Sequence, residues 1–198
     1  MQYLVRGERR MEKEHKTVVS ISMVKANILV FIVSIAMLAG VPFLHVLLFG
    51  SAGLTVTPTG LFLFLAAIVI FVCLHEAIHL IGFRYIGGVP KQELAWGINW
   101  RMGVAYAHAK KPITVKQMKK VLLLPCIPTG LLPLVIGVSI DYLPLSILGV
   151  ILTTGCIGDF ILYQKLMNFP DHALVEDHPS KPQFTVYHAL TGCNTPTS

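Results

Sequence analysis

Five consecutive residues, His75-Glu76-Ala77-Ile78-His79, set two imidazoles four positions apart with a carboxylate beside the first. On an α-helix, positions i and i+4 share a face about one turn apart, so both imidazoles can grip one zinc ion while Glu76 leans toward a water on that ion. The chemistry this spacing permits is hydrolysis, with zinc activating water and Glu76 as the general base that takes its proton and hands it to the leaving group. The pattern sits late in an apolar run, Gly60 to Ile86. Inside a bilayer a buried carboxylate costs at least ~2.5 kcal/mol even on lenient insertion scales, so two histidines and a glutamate on adjacent turns demand a compensating partner.

Catalytic zinc usually takes three protein ligands and keeps a fourth position for water. Asp159 is the only other acid within a long apolar run, and it is the predicted third metal ligand beside His75 and His79. Depth supports the pairing. Gly60 to Ala77 and Tyr142 to Asp159 are each seventeen residues, counted from the expected outer helix ends. At about 1.5 Å of rise per residue, both positions lie ~25 Å down, at one level. Gly155 and Gly158 flank Asp159 and are expected to let two helix backbones approach closely. Cys156, three positions before Asp159, competes as a thiolate ligand, although a small buried side chain is its simplest reading. Asp177 and Glu93 lie in polar segments, where a solvated carboxylate needs no partner. His45 is near the outer end of the first apolar run, and His15, His108, His172, His178 and His188 fall in polar or interfacial segments. Each of these reads as an ordinary surface or packing histidine.

The elements that must position these groups follow from composition. Of 198 residues, 54% are hydrophobic and only 13% charged, too little charge to cover a globular surface and too apolar for a disordered chain. A hydrocarbon core ~30 Å thick needs roughly 20 apolar residues in helix. Four stretches qualify: 26–49, 60–86, 121–140 and 143–167. The predicted fold class is therefore an all-α membrane protein of four transmembrane helices, with a short interfacial β-hairpin or strand between the second and third. Pro125, Pro128 and Pro133 predict that the third helix is kinked or partly unwound, its freed carbonyls buried in protein.

The interfacial segment, about residues 92–108, is read from alternation. Leu94, Trp96, Ile98, Trp100, Met102, Val104 and Tyr106 alternate with small or polar residues, and Gly97 or Gly103 could supply a turn. Tryptophan and tyrosine suit a sheet at headgroup level. After Phe169 the chain turns polar and proline-bearing, and Thr191 to Ser198 read as disordered.

The net charge of +6 follows topology rather than a nucleic-acid partner. Arg6, Arg9, Arg10, Lys13, Lys16 and Lys25 precede the first span, the basic residues from Arg84 to Lys120 lie between the second and third, and Lys165 and Lys181 follow. Gly50 to Thr59 and the connection around Asp141 carry none, so both termini are expected to be cytoplasmic. The N-terminal twenty residues are too acidic for a signal peptide, so the first span is expected to be a retained anchor. Cys73, Cys126, Cys156 and Cys193 are too widely spaced for a disulfide framework. Too few polar residues are present to line a channel.

The intramembrane His75-Glu76-x-x-His79, the Gly158-Asp159 pair and the Glu176-Asp177-His178-Pro179 string resemble a bacterial family of membrane zincin metallopeptidases related to site-2 proteases, over about residues 60 to 188. The resemblance implies a zinc-dependent endopeptidase with His75 and His79 as Zn2+ ligands, Glu76 as general base and Asp159 as third ligand. In site-2 proteases the matching aspartate usually sits in an Asn-Pro-Asp-Gly or Leu-Asp-Gly context, whereas this chain reads Ile157-Gly158-Asp159-Phe160. The chain then divides into a cytoplasmic N-terminal segment (1–24), a membrane-embedded zinc peptidase domain (25–168) and a cytoplasmic tail (169–198). The expected location is the bacterial cell membrane. The expected partners are the lipid bilayer and a membrane protein or peptide substrate, cut in the cytoplasmic half of the bilayer. The same ligands would also serve a non-catalytic zinc-binding membrane protein, a metal sensor, carrier or scaffold, in which Glu76 has no proton to move.

Overall fold

Side-chain caps open the first two long helices. Ser22 accepts the Lys25 N–H at 3.5 Å to start α1 (Met23–Phe49), and Gly50 ends it at φ 79°, a left-handed conformation that costs glycine nothing. Thr57 accepts the Gly60 N–H at 3.0 Å to start α2 (Pro58–Tyr85), with Pro58 in the first turn, where its missing N–H is no loss. The chain is described by a computed structural model over residues 16–99, 104–178 and 183–187. Trp100, Met102, Gly103, His15, His188, Cys193, Pro179 and residues 191–198 lie outside that description.

The third long helix is interrupted, as its prolines predict. A Thr114–Gln117 capping box opens α3 (Val115–Leu123), a π-helical turn follows over Cys126–Leu131, and α4 (Leu132–Ser139) completes the run. The fourth divides at Cys156 into α5 (Leu143–Gly155) and α6 (Ile157–Leu166). Among the described residues, four helical runs are long and apolar enough to cross a membrane: Met23–Phe49, Pro58–Tyr85, Val115–Ser139 and Leu143–Leu166. The third begins at Val115 rather than at the expected residue 121, because the polar residues of α3 form its first turns. Along α1 and α2, large side chains such as Phe31, Phe62 and Ile70 are exposed, which suits helices whose surroundings are lipid.

Glycines let the third and fourth runs approach closely, but not the glycines the sequence suggests. A Cβ on Gly137 would stand 2.4 Å from the Ser146 backbone nitrogen, one on Gly149 2.3 Å from that of Leu134, and one on Gly130 2.9 Å from Thr153 Oγ1. Gly155 and Gly158, expected to do this, would meet nothing within 4 Å. The close packing is one to three turns nearer the other end of the fourth run.

The strands gather at one end of the helical bundle, because they precede the first run, lie between the second and third, and follow the fourth. They are β1 (Lys16–Ser20), β2 (Leu94–Asn99), β3 (Val104–Ala109), β4 (Ile113–Thr114), β5 (Leu174–Asp177) and β6 (Gln183–Tyr187). A four-stranded sheet runs in the order β1-β6-β5-β4, and β2-β3 form a separate antiparallel hairpin. The four-stranded sheet corrects the all-α expectation. It joins the N-terminal and C-terminal segments, with Lys16 opposite Tyr187, and packs Val19, Val175, Phe184 and Val186 against Phe83, Met118, Leu122 and Leu166 of the helices. Each strand is five residues or fewer, and the β1–β6 and β4–β5 pairs join residues far apart in the chain, so no local pattern announces the sheet.

The hairpin register also departs from the simple alternation. Trp96 lies opposite Ala107, and Gly97 opposite Tyr106. Leu94 and Trp96 therefore share a face with Ala107 and Ala109, while Tyr106 and His108 share the other with Ala95 and Gly97. Gly97 is inside β2 and makes no turn. It leaves room for Tyr106, whose hydroxyl would be 2.7 Å from a Cβ at that position.

Candidate metal centre

Helix α2 carries His75, Glu76 and His79, and one turn of helix brings the two rings to a centroid separation of 4.8 Å at 77°. Asp159 sits in the first turn of α6, immediately after the break at Cys156. The N-terminal end of a helix favours a carboxylate, so the break that interrupts the fourth run also supplies a suitable place for the acid. Asp159 Oδ2 is 3.1 Å from His75 Nε2 and 3.6 Å from His79 Nε2. The three candidate ligand atoms all lie within 4.8 Å of one another, and the side chains are largely buried.

The outer nitrogen of each ring is committed elsewhere. His79 Nδ1 is 3.1 Å from the backbone oxygen of Val121, which can only accept, so that nitrogen carries the proton. The Val121 carbonyl is available because Pro125, four residues on, has no N–H to return the helical bond. His75 Nδ1 is 3.1 Å from Thr129 Oγ1 in the π-helical turn. Thr129 gives its own proton to the Pro125 carbonyl at 2.7 Å and therefore accepts from the imidazole. Both rings thus turn Nε2, the remaining nitrogen, toward the Asp159 carboxylate. Two ring nitrogens and a carboxylate oxygen converge, an arrangement that a metal cation can hold together. Zinc bonds of about 2.0–2.1 Å at tetrahedral angles place ligand atoms roughly 3.3 Å apart, close to the two separations to Asp159. The donor set fits zinc.

Glu76 lies beside this group and within electrostatic reach of His75, His79 and Asp159, and the Ala107 backbone N–H of β3 faces its carboxylate. Cys156, the rival third ligand, has its Sγ 3.9 Å from Nδ1 of His75, the nitrogen already used by Thr129, and bonds the Leu152 carbonyl at 3.2 Å. It packs beside the group rather than within it. His45 is at the other end of the bundle and fully buried, its Nδ1 2.8 Å from Asp141 Oδ1 and its Nε2 2.9 Å from Ser146 Oγ. It ties α1 to the turn before α5 and to α5 itself, a packing role as expected. Thr129, the Val121 carbonyl and the Ala107 N–H are missed by sequence reasoning, because their parts depend on the partner that the fold brings to them. The proline at position 125 is the one signal that could have pointed to Val121.

Thr129→Val keeps the shape of the side chain and deletes the acceptor for His75. Partners of this kind typically cost 10–100-fold in metal affinity, and that is the expected loss here, read by competitive zinc titration of purified protein. An unchanged affinity would deny Thr129 any part in aiming the ring.

The model of a family described as "Putative zincin peptidase" matches residues 68–174. The match takes in the His-Glu-x-x-His segment, the hairpin, the π-helical turn and Asp159, and ends before the Glu176-Asp177-His178 string. No curated protein and no solved structure matches the chain. Since the matched residues make up more than half of the chain and carry the whole convergent group, this protein belongs to that zincin peptidase family.

Proposed function

We propose that the chain is an integral-membrane zinc endopeptidase, similar to site-2 proteases, that cuts membrane-associated or transmembrane substrates within the cytoplasmic half of the bilayer. His75, His79 and Asp159 hold the zinc, and Glu76 is the general base. The observation that carries this reading is the convergence of two Nε2 atoms and one carboxylate oxygen beside a glutamate. Bound there, zinc supplies a Lewis acid that polarises a carbonyl and brings the pKa of a coordinated water to about 7. The Glu76 carboxylate accepts the proton of the attacking water and returns it to the leaving nitrogen. The Ala107 N–H steadies that carboxylate between transfers.

A substrate helix must unwind before its carbonyls can be attacked, and β3 offers an edge to receive it. Lys110 donates to the Glu93 carbonyl at 2.8 Å, which sets the phase of the ladder. The backbone groups of Ala107 and Ala109 therefore point away from β2. An added strand on this edge would bring a substrate backbone up to Glu76. Ala107→Pro removes the outward N–H without touching the ladder, and is expected to slow cleavage roughly tenfold while zinc content stays unchanged. Equal rates would deny the Ala107 N–H a part both in holding Glu76 and in binding substrate.

The partners on this reading are a membrane protein or peptide and the lipid bilayer, with no nucleic acid. The location is the bacterial cell membrane, with both termini cytoplasmic. The test is purified full-length protein with metal analysis, together with a comparison of membrane proteomes from cells carrying the native chain or Glu76→Gln. About one zinc per chain and an accumulating single-span precursor are expected. Bound zinc with no precursor would favour a sensor or carrier.

A further inference from the structure

The hairpin and the four-stranded sheet share no strand pairing, yet a side-chain pair joins them: His108 Nδ1 on β3 stands 3.4 Å from Asp177 Oδ2 on β5. The two side chains are 8% and 19% exposed, and the mechanism uses neither. Burial holds the Asp177 carboxyl above the usual carboxylate range, and His108 and the His178 backbone N–H act against that shift. A carboxylate is costly in such a place without partners, and His108 is the one that reaches it from the hairpin.

What it does is visible one residue away. His108 follows Ala107, whose N–H faces Glu76. A two-stranded ribbon is marginal on its own, so the distance of β3 from α2 has to be set by ties to the rest of the molecule. Asp177 pairs with Phe184 of β6, in a strand whose other end, Leu174 and Val175, also pairs with β4, and this gives such a tie its anchor.

We propose that His108 and Asp177 are a positioning pair for the active site, fixing the β3 edge against Glu76 and so setting where an extended substrate backbone lies relative to the reacting groups. This rests on the peptidase reading. His108 itself touches no reacting atom in this scheme and acts through the strand.

Two substitutions in the full-length zinc-loaded protein test it. In His108→Asn the amide nitrogen can replace Nδ1 as donor to Asp177, whereas His108→Leu fills similar space with no donor. The asparagine variant is expected within about threefold of the native kcat/KM, and the leucine variant about tenfold or more below it, with zinc content equal in both. Amide hydrogen exchange over residues 104–109 should be faster in the leucine variant only. A leucine variant as active and as protected as the asparagine one would overturn the proposal, because His108 would then only fill space. Loss of activity in both, with exchange unchanged, would overturn it too, by giving the imidazole a direct role. If the native protein holds zinc and cleaves nothing, the peptidase reading fails alone, and the exchange order of the two variants still decides whether the pair fixes β3.

Discussion

Glu76→Gln is expected to keep near-native zinc and lose turnover by about 10²–10⁴-fold, the contribution usual for a positioned general base. The side chains expected to hold the ion are His75, His79 and Asp159, and glutamine preserves the volume of Glu76 and its ability to accept the Ala107 N–H through its amide oxygen. What it cannot do is take a proton from water. The loss should therefore appear in kcat with little change in KM, since no substrate-binding contact is removed. Full activity in the glutamine variant would sink the peptidase reading outright and leave the ligands to a sensor or carrier.

Asp159→Ala is expected to have the opposite signature: zinc content falls from about one ion per chain to near zero, and activity goes with it. The reason is electrostatic as well as geometric. As metal ligands His75 and His79 are neutral, their Nδ1 protons being committed to Thr129 and the Val121 carbonyl, so Asp159 would carry the charge that balances a dication in a largely buried place. Asp159→Asn keeps the shape but not the charge, and should lose most of the metal as well. Stability gives an independent readout. Zinc at a thousandfold excess over its Kd stabilises the folded state by about 4.1 kcal/mol, so a chelator should lower the Tm of the native protein and leave that of Asp159→Ala unmoved. An alanine variant that retains one tightly held zinc would remove Asp159 from the site.

The two variants report on different links of the same chain of causes. One asks whether the converged acceptors hold metal, the other whether the neighbouring carboxylate moves a proton once they do. Thr129→Val and Ala107→Pro ask how the surrounding backbone aims each part. A protein that passes the metal tests and fails the proton test is a zinc-binding membrane protein built on the same frame.

Much of the site can be read along the chain. The i, i+4 spacing of His75 and His79 is a local property of helix geometry, and so is the position of Glu76 between them. The run lengths announce four spans because the thickness of a bilayer is fixed and backbone polar groups inside it must bond within their own helix. Even the interruption of the third run follows from Pro125, whose absent N–H frees the Val121 carbonyl that later takes the His79 proton. The equal depth expected for Ala77 and Asp159 is counted from run ends, whereas the helices begin at Pro58 and Leu143, nineteen and sixteen residues before them.

Other features have no local signal. Cys156 is the second-ranked rival to Asp159 on paper, and only the tertiary packing sets the thiol beside Nδ1 of His75 and the carboxylate beside Nε2. The four-stranded sheet joins residues 16–20 to residues 183–187, a pairing whose stabilising contacts arise only after the loop between them has closed. Likewise His108 reads as an ordinary polar histidine until β5 delivers Asp177 to it. Spacing within one helix and the length of apolar runs are fixed by covalent geometry and by the solvent, so the sequence alone determined the paired imidazoles and the four long apolar helices. Which acid, hydroxyl and strand edge meet them depends on contacts between residues far apart in the chain, and those only the tertiary structure decided.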